Sequence, residues 1–160
     1  MAFKRIAAWG EPGQDRAVAR LRLDDLDATN ALGARVAAAL RPGDAVLLSG
    51  PYGAGKTALA RALLRALAGD PELEVPSPSY TLVQVYDTLI GPVHHFDLWR
   101  LEGSAAVAEL GWDEAREGVV VAEWPERLGS LRPPDALEIA LDMRGEERWA
   151  TITGWPGRRF

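Results

Sequence analysis

The sequence has 160 residues, of which 48% are hydrophobic, so it can bury the core of one domain and is too short for two domains of ordinary size. Its formal net charge of −5 argues against a protein that binds nucleic acid unaided through a basic face. The absence of cysteine excludes disulfide frameworks and thiolate metal sites.

We expect residues 1–20 or so to form a loosely ordered N-terminal arm, because Gly10, Pro12 and Gly13 would interrupt a helix or a strand there. Its apolar stretch is too short for the core of a signal peptide. No later segment reaches the length of about 18 to 20 apolar residues that a membrane span requires. We therefore expect a soluble, cytoplasmic protein whose residues 1–160 form one domain.

Three elements are predicted before the first glycine-rich segment. Residues 17–26 predict a strand and residues 28–40 a helix. Asp27 or Thr29 is the expected cap of that helix, because a short polar side chain accepts bonds from first-turn N–H groups. The apolar run over residues 45–48 predicts a buried strand, whose end delivers the chain to the glycine-rich segment.

Residues 50–57, with the sequence GPYGAGKT, fit the phosphate-loop pattern of two glycines followed by Lys and a hydroxyl residue. The glycines let backbone N–H groups surround phosphate oxygens, and the helix predicted over residues 58–67 directs the positive end of its dipole at the same anion. Lys56 is predicted to reach the β- and γ-phosphates of ATP, and Thr57 to ligate Mg²⁺. The nucleotide contacts predicted in this segment are Gly50, Gly53, Ala54, Gly55, Lys56, Thr57 and Ala58.

The use of lysine supports a functional loop. Lys4 and Lys56 are the only lysines, and arginine supplies the rest of the 18 basic residues. A phosphate cradle uses the compact ammonium of lysine, which a guanidinium does not replace. The position of Lys56 therefore favours phosphate binding over an ordinary glycine-rich turn.

A loop rich in proline and serine follows the second helix, which Gly69 is predicted to end. Residues 75–80 (VPSPSY) contain two prolines that fix φ and bar a helix, so Ser77 and Ser79 are presented on a stiff loop. We expect these hydroxyls to contact the γ-phosphate or its Mg²⁺, as a switch loop does, or to serve only as turn formers.

Two β-rich segments, residues 80–86 and 93–99, predict an antiparallel pair. Alternation places His95, Asp97 and Trp99 on one face of the second strand. Asp97 lies near the end of that strand, where it can supply the second carboxylate of a Mg²⁺ shell.

A second strand-end carboxylate follows two short predicted helices, at residues 104–110 and 112–117. The run over residues 118–122 is apolar without alternation, which predicts a strand buried on both faces. Glu123 follows it directly, and a carboxylate there is costly unless it is paired, hydrated or near a cation, so Glu123 is a candidate to position water. The predicted catalytic residues are Lys56, Asp97 and Glu123, and the predicted Mg²⁺ ligands are Thr57, Ser79, Asp97 and Glu123.

The last two elements are predicted over residues 136–142 and 148–153, which alternate cleanly and indicate a β-hairpin with one solvated face. Together with the strand, loop and helix around residues 50–57, they predict an α/β fold. We expect a three-layer phosphate-loop NTPase with a mixed, largely parallel central sheet and a C-terminal β-hairpin.

Five ordered motifs resemble the bacterial TsaE (YjeE) family. They are residues 50–57, 77–83 (SPSYTLV), 95–100 (HFDLWR), 109–114 (ELGWDE) and 123–126 (EWPE). Residues 27–33 also look like the family's first-helix motif, so the resemblance covers roughly residues 26–129. That family is the ATPase component of the machinery that makes threonylcarbamoyladenosine at position 37 of tRNAs.

The resemblance implies that Lys56 and Thr57 bind phosphate and Mg²⁺, and that Asp97 is the Walker-B-like acid. It implies that Glu123 and Trp124 are needed for activity. It further implies ATP or ADP as cofactor and the TsaD and TsaB proteins as partners, with tRNA held mainly by their complex. We therefore expect a slow ATPase that acts as a switch subunit. The departures from the family pattern are Pro51, Tyr52, Ser79 and Trp99.

Two other functions fit a phosphate loop. A small-molecule or nucleoside kinase shares the size and the loop but needs an acceptor pocket, and no acceptor motif is recognisable between Gly69 and Thr88. A nucleotide-gated binding module would use the same loop without useful hydrolysis. Transfer of labelled phosphate to a small acceptor, and single-turnover ATP cleavage with the partners present, separate the three functions.

Overall fold

The computed structural model describes residues 18–155 and residue 158, so most of the predicted N-terminal arm lies outside the described residues. The strands are β1 (Val18–Arg22), β2 (Ala45–Ser49), β3 (Val83–Thr88), β4 (Gly91–Asp97), β5 (Val119–Glu123), β6 (Leu137–Arg144) and β7 (Glu147–Thr153). The helices are α1 (Leu26–Ala39), α2 (Lys56–Ala68), α3 (Ser104–Ala108) and α4 (Trp112–Ala115), and a 3₁₀ segment spans Pro125–Leu131. No helix in this part of the chain combines the length and hydropathy that a membrane crossing requires.

The seven strands form one mixed sheet in the order β1-β7-β6-β2-β5-β4-β3. The four central strands, β6, β2, β5 and β4, run parallel to one another. The outer strands β1, β7 and β3 are antiparallel to their neighbours. The predicted hairpin is therefore part of the central sheet, since β6 pairs directly with β2. The carboxyl ends of β2, β5 and β4 meet at one edge, where open α/β sheets bind ligands.

Each face of the sheet carries its own apolar core. Leu32 of α1 and Leu63 of α2 pack with Val46 of β2 on one face. On the other face, Phe96 of β4 packs against Trp112 of α4, with ring centroids 5.2 Å apart. These two layers of helices around one sheet confirm the predicted three-layer α/β class.

The structure corrects several predicted boundaries. The cap of α1 is Asp25, whose Oδ1 accepts a bond from the Ala28 N–H at 2.8 Å. Asp27 and Thr29 lie inside the helix instead, because the chain turns into the helix earlier than the hydrophobic pattern indicates. The strand predicted from residue 80 begins at Val83, after a turn in residues 79–82. In contrast, Gly69 ends α2 as predicted, with φ 65°.

Gly33 allows α1 to lie close against α2. A Cβ atom built on Gly33 would lie 2.6 Å from the Ala62 Cβ and 2.8 Å from the Leu63 backbone nitrogen. Real Cβ atoms do not approach so closely, so the two helices would have to separate. Packing at this crossing therefore requires a residue without a side chain.

We expect Gly33→Ala to lower the free energy of unfolding by about 1–3 kcal/mol through overpacking. Helix propensity alone would favour alanine by about 1 kcal/mol, so the sign of the change separates the two effects. Urea unfolding measures this change in the free energy of unfolding. Ala34→Gly, at an exposed position of the same helix, is the control and should cost about 1 kcal/mol through propensity alone. A Gly33→Ala protein as stable as wild type would contradict the close crossing.

Candidate functional site

The glycine-rich loop joins the carboxyl end of β2 to the start of α2. Gly50 and Gly55 have φ values of 139° and 103°, a region that side chains disfavour. A side chain on Gly50 would also collide with the backbone carbonyl of Leu141, because β6 lies directly behind the loop. The glycines are therefore required by the path of the backbone.

Lys56 is buried at the mouth of this loop. Its Nζ donates to the carbonyls of Gly50 and Pro51, at 2.6 and 2.9 Å. The same Nζ lies 4.2 Å from the centroid of the Trp124 ring. Burial lowers the pKa of Lys56, while nearby carboxylates, among them Glu123, act in the opposite direction. The loop thus holds a buried cation at its mouth.

Thr57 connects the loop to the neighbouring strand. Its hydroxyl donates to Oε1 of Glu123 at 2.9 Å. Glu123 is the last residue of β5 and is only 2% exposed. Its Oε2 lies 2.7 Å from Nε2 of His95. The buried carboxylate therefore has partners on both oxygens, which is the condition for placing such a group inside a protein.

His95 is a site residue that the sequence did not assign. Its side chain is fully buried, Nε2 contacts Glu123, and Nδ1 has no hydrogen-bond partner within the described part of the chain. The alternation of residues along the second strand had placed His95 on the same face as Asp97, and this was the indication that the sequence offered. Its partner could not be identified because β4 and β5 had no predicted order in the sheet.

We expect His95→Leu to lower the free energy of unfolding by about 3–5 kcal/mol, because it leaves Oε2 of the buried Glu123 carboxylate without its partner. Replacing the carboxylate as well, in His95→Leu with Glu123→Gln, should recover about 1–3 kcal/mol of that loss. Urea unfolding of wild type, both single variants and the double variant gives the coupling. Additive effects of the two substitutions on the free energy of unfolding would show that no specific coupling between His95 and Glu123 stabilises the protein.

A second polar cluster forms around Asp97, the last residue of β4. Its Oδ2 accepts bonds from the hydroxyls of Ser77 and Ser79, at 3.0 and 3.3 Å. The two hydroxyls also lie 2.8 Å from each other. The proline-serine loop is therefore tied to a strand end, and its hydroxyls have partners beyond ordinary turn formation.

The two clusters line one cavity of about 840 Å³, a size typical of ligand sites. Predicted site residues in its lining are Gly53, Gly55, Lys56, Thr57, Ala58, Ser77, Ser79, Asp97, Glu123 and Trp124. Gly50 and Ala54 do not line it. The Gly50 carbonyl accepts from Lys56, and Ala54 is buried with its N–H donating to the Pro51 carbonyl at 3.1 Å.

The donor atoms around the cavity suit Mg²⁺. Thr57 and Ser79 offer hydroxyl oxygens, and Asp97 and Glu123 offer carboxylates, which are the hard ligands that this ion prefers. Among the residues that the structure describes, no group of three or more His, Asp or Glu side chains is arranged to hold a metal ion. A Mg²⁺ ion here would share its shell with phosphates and water, as is usual for this ion.

Exposed aromatic side chains surround the mouth of the cavity. Tyr52 is 95% exposed, Tyr80 90% and Trp99 48%; we call these three residues the aromatic rim. Arg100 donates to the Tyr80 carbonyl at 2.7 Å and so fixes part of this rim. The sequence did not assign these three residues to the site. Trp99 was predicted to lie in the same strand as Asp97, but β4 ends at Asp97 and Trp99 lies in the turn beyond it.

Comparison with known proteins identifies the family. The family model described as "Threonylcarbamoyl adenosine biosynthesis protein TsaE" matches residues 23–150. The chain is similar to "tRNA threonylcarbamoyladenosine biosynthesis protein TsaE" of Rickettsia felis, with 34% identity over 129 residues, covering 80% of this chain and 75% of that one. The protein of the same name from Bacillus subtilis is 33% identical over 135 residues and 82% of each chain.

A solved structure has a similar fold. The crystal structure of Bacillus subtilis YdiB superposes with a TM-score of 0.73 and 28% sequence identity, covering 89% of this chain and 88% of that one. The residues that the family model matches include the glycine-rich loop, the cluster of Thr57, Glu123 and His95, and the cluster of Ser77, Ser79 and Asp97. The chain therefore belongs to the TsaE family of threonylcarbamoyl adenosine biosynthesis proteins.

Proposed function

We propose that this protein is the ATP-binding, slowly hydrolysing switch subunit of the machinery that threonylcarbamoylates adenosine 37 of tRNAs. In this function it is a Mg²⁺-dependent ATPase that acts on a complex of the TsaD and TsaB proteins. Its membership of the TsaE family supports the pathway. The geometry of the cavity supports the nucleotide chemistry.

The observation that carries the proposal is the bond from Thr57 to Glu123. It joins a hydroxyl of the phosphate loop to a carboxylate of the neighbouring strand. Mg²⁺, when bound, would neutralise charge on the β- and γ-phosphates. In this proposal Glu123 lies beside that end of the phosphate chain, where it would orient the attacking water and accept its proton.

Lys56 serves the phosphates directly in this proposal. Its ammonium exchanges the carbonyls of Gly50 and Pro51 for phosphate oxygens, which are stronger acceptors because they are charged. The ring of Trp124 lies over the ammonium and helps to hold it in position. The site is thus preorganised for an anion before one binds.

The proline-serine loop is proposed to report the state of the nucleotide. Ser77 and Ser79 bond to Asp97, at the end of the cavity that also holds Glu123. A γ-phosphate with its Mg²⁺ would compete for these three side chains, so the loop would differ between the ATP and ADP states. Tyr80 is the last residue of the loop and also belongs to the aromatic rim, so it would carry that difference to the rim.

The aromatic rim supports a protein partner at the mouth of the cavity. Exposed aromatic side chains that cluster around a site are typical of surfaces covered by another protein. We propose that TsaD and TsaB cover this surface in the ATP state. The net charge of −5 supports tRNA being held mainly by that complex.

A pull-down of the full chain with TsaD and TsaB, under ATP, ADP and no nucleotide, tests the proposal. We expect the strongest retention with ATP. Ser77→Ala with Ser79→Ala should bind ATP but lose the difference between ATP and ADP, because the loop no longer contacts Asp97. Equal retention of the wild-type chain under all three conditions would eliminate the switch.

A further inference from the structure

Arg148 of β7 lies against the phosphate loop, although it is far from that loop in sequence and belongs to the C-terminal hairpin. A Cβ atom built on Gly55 would lie 3.5 Å from Nη1 and 3.6 Å from Cζ of Arg148. Gly55 directly precedes Lys56 and lines the cavity. The guanidinium is therefore within a few ångströms of the backbone that surrounds the phosphates.

The Arg148 guanidinium has no protein counter-charge among the described residues. Its Nε is buried and makes no hydrogen bond there. Other half-buried arginines are paired: Arg61 donates to the Val75 carbonyl, and Arg158 pairs with Asp44. Because arginine is always charged and the Nε of Arg148 is shielded from solvent without a partner, this guanidinium is available to an anionic ligand.

The sheet order gives the direction from which Arg148 approaches. β2, which leads into the loop, lies between β5 and β6. Glu123 and Asp97 lie on the side of β2 that faces β5 and β4, where the γ-phosphate end of the nucleotide is proposed to bind. Arg148 arrives from β7, beyond β6, on the opposite side of the loop.

We propose that Arg148 is a second cationic contact for the phosphate chain of the bound nucleotide, on the part of the chain remote from the γ-phosphate. This inference rests on the proposed binding of ATP. The planar guanidinium offers several N–H donors that match phosphate oxygens, and Lys56 supplies a point charge on the other side. ATP and ADP share the phosphates that Arg148 contacts.

Binding of ATP and ADP to the full chain, measured by titration calorimetry with the variant Arg148→Gln, tests the inference. We expect both nucleotides to bind about 10-fold more weakly, since a charge-assisted contact is lost. The loss should be the same for the two nucleotides. Their affinities should also fall less steeply with salt than those of the wild type, because one screened charge has been removed.

Arg144→Gln is the matched control, because Arg144 is an exposed arginine of the same hairpin. It should bind both nucleotides as wild type does. Arg148→Lys, which keeps the charge, should recover part of the affinity that Arg148→Gln loses. The thermal midpoint of unfolding without nucleotide should not fall in Arg148→Gln, whereas loss of an arginine that only supports the loop would lower it.

Wild-type affinity and salt dependence in Arg148→Gln would overturn the inference while leaving the proposed function intact. A lower thermal midpoint with an unchanged salt dependence would also overturn it, in favour of a supporting role. Loss of affinity for ATP but not for ADP would move the contact to the γ-phosphate and contradict the stated geometry. Failure of the wild-type chain to bind either nucleotide would overturn both proposals.

Discussion

Lys56→Ala is expected to lose nucleotide binding, with an affinity for ATP lower by about 100-fold. The ammonium is the cation that the loop itself holds at the phosphate position, through the carbonyls of Gly50 and Pro51. Hydrogen bonds to charged groups contribute about 1.5–3 kcal/mol, which corresponds to roughly 10- to 150-fold in affinity. Titration calorimetry with ATP measures the change directly.

Lys56→Arg is the informative control for this variant. Arginine keeps the positive charge, but its planar fork does not fit the space between two backbone carbonyls and the Trp124 ring. We expect it to bind ATP more weakly than wild type and more tightly than Lys56→Ala. Circular dichroism should show both variants folded, because the rest of α2 is packed by apolar residues. Wild-type affinity in Lys56→Ala would contradict phosphate binding by this loop.

Glu123→Ala is expected to keep ATP binding and to lose multi-turnover tRNA modification, by a factor of about 10²–10⁴ if the carboxylate acts as a general base. The carboxylate contacts Thr57 at the end of the loop but contributes no positive charge to the phosphate site. Removing it should therefore act mainly on the chemical step, because Lys56, Thr57 and Asp97 remain to hold the nucleotide and its Mg²⁺ in this proposal. The assay is modification of a tRNA transcript with TsaD and TsaB present and tRNA in excess.

Two companion variants separate chemistry from folding. Glu117→Ala removes an exposed carboxylate that lies just before β5 and outside the cavity, and it should modify tRNA normally. Glu123→Gln keeps the shape of the side chain and a hydrogen bond to Thr57, so it should fold as wild type and still fail in multi-turnover modification. Full activity in both Glu123→Ala and Glu123→Gln would eliminate Glu123 as the group that acts on water.

The sequence was sufficient for the glycine-rich loop and its flanking elements, because these depend on local spacing. The glycines, Lys56 and Thr57 lie within eight successive positions, residues 50–57. The apolar runs on either side have the periodicity of a strand and a helix. Boundaries were less accurate where a single side chain decides them. Asp25 caps α1 because the chain enters the helix at that residue. The composition of the segment does not specify which of its polar residues takes that position.

The arrangement of the site depends on contacts between distant segments. Thr57 and Glu123 are 66 residues apart in sequence, and His95 and Glu123 are 28 apart. These contacts exist because β5 lies between β2 and β4, an order that no local pattern encodes. The same holds for Arg148, which reaches Gly55 only because the hairpin pairs with β2 through β6.

The sequence by itself determined the α/β class, the glycine-rich loop and the two strand-end acids, since each follows from the chemistry of neighbouring residues. Only the tertiary structure decided which acid meets Thr57, which side chain supports that acid, and which arginine reaches the loop. The physical reason is the packing of the sheet. Burial of apolar strands on both faces selects one strand order, and that order brings together polar groups that are far apart along the chain.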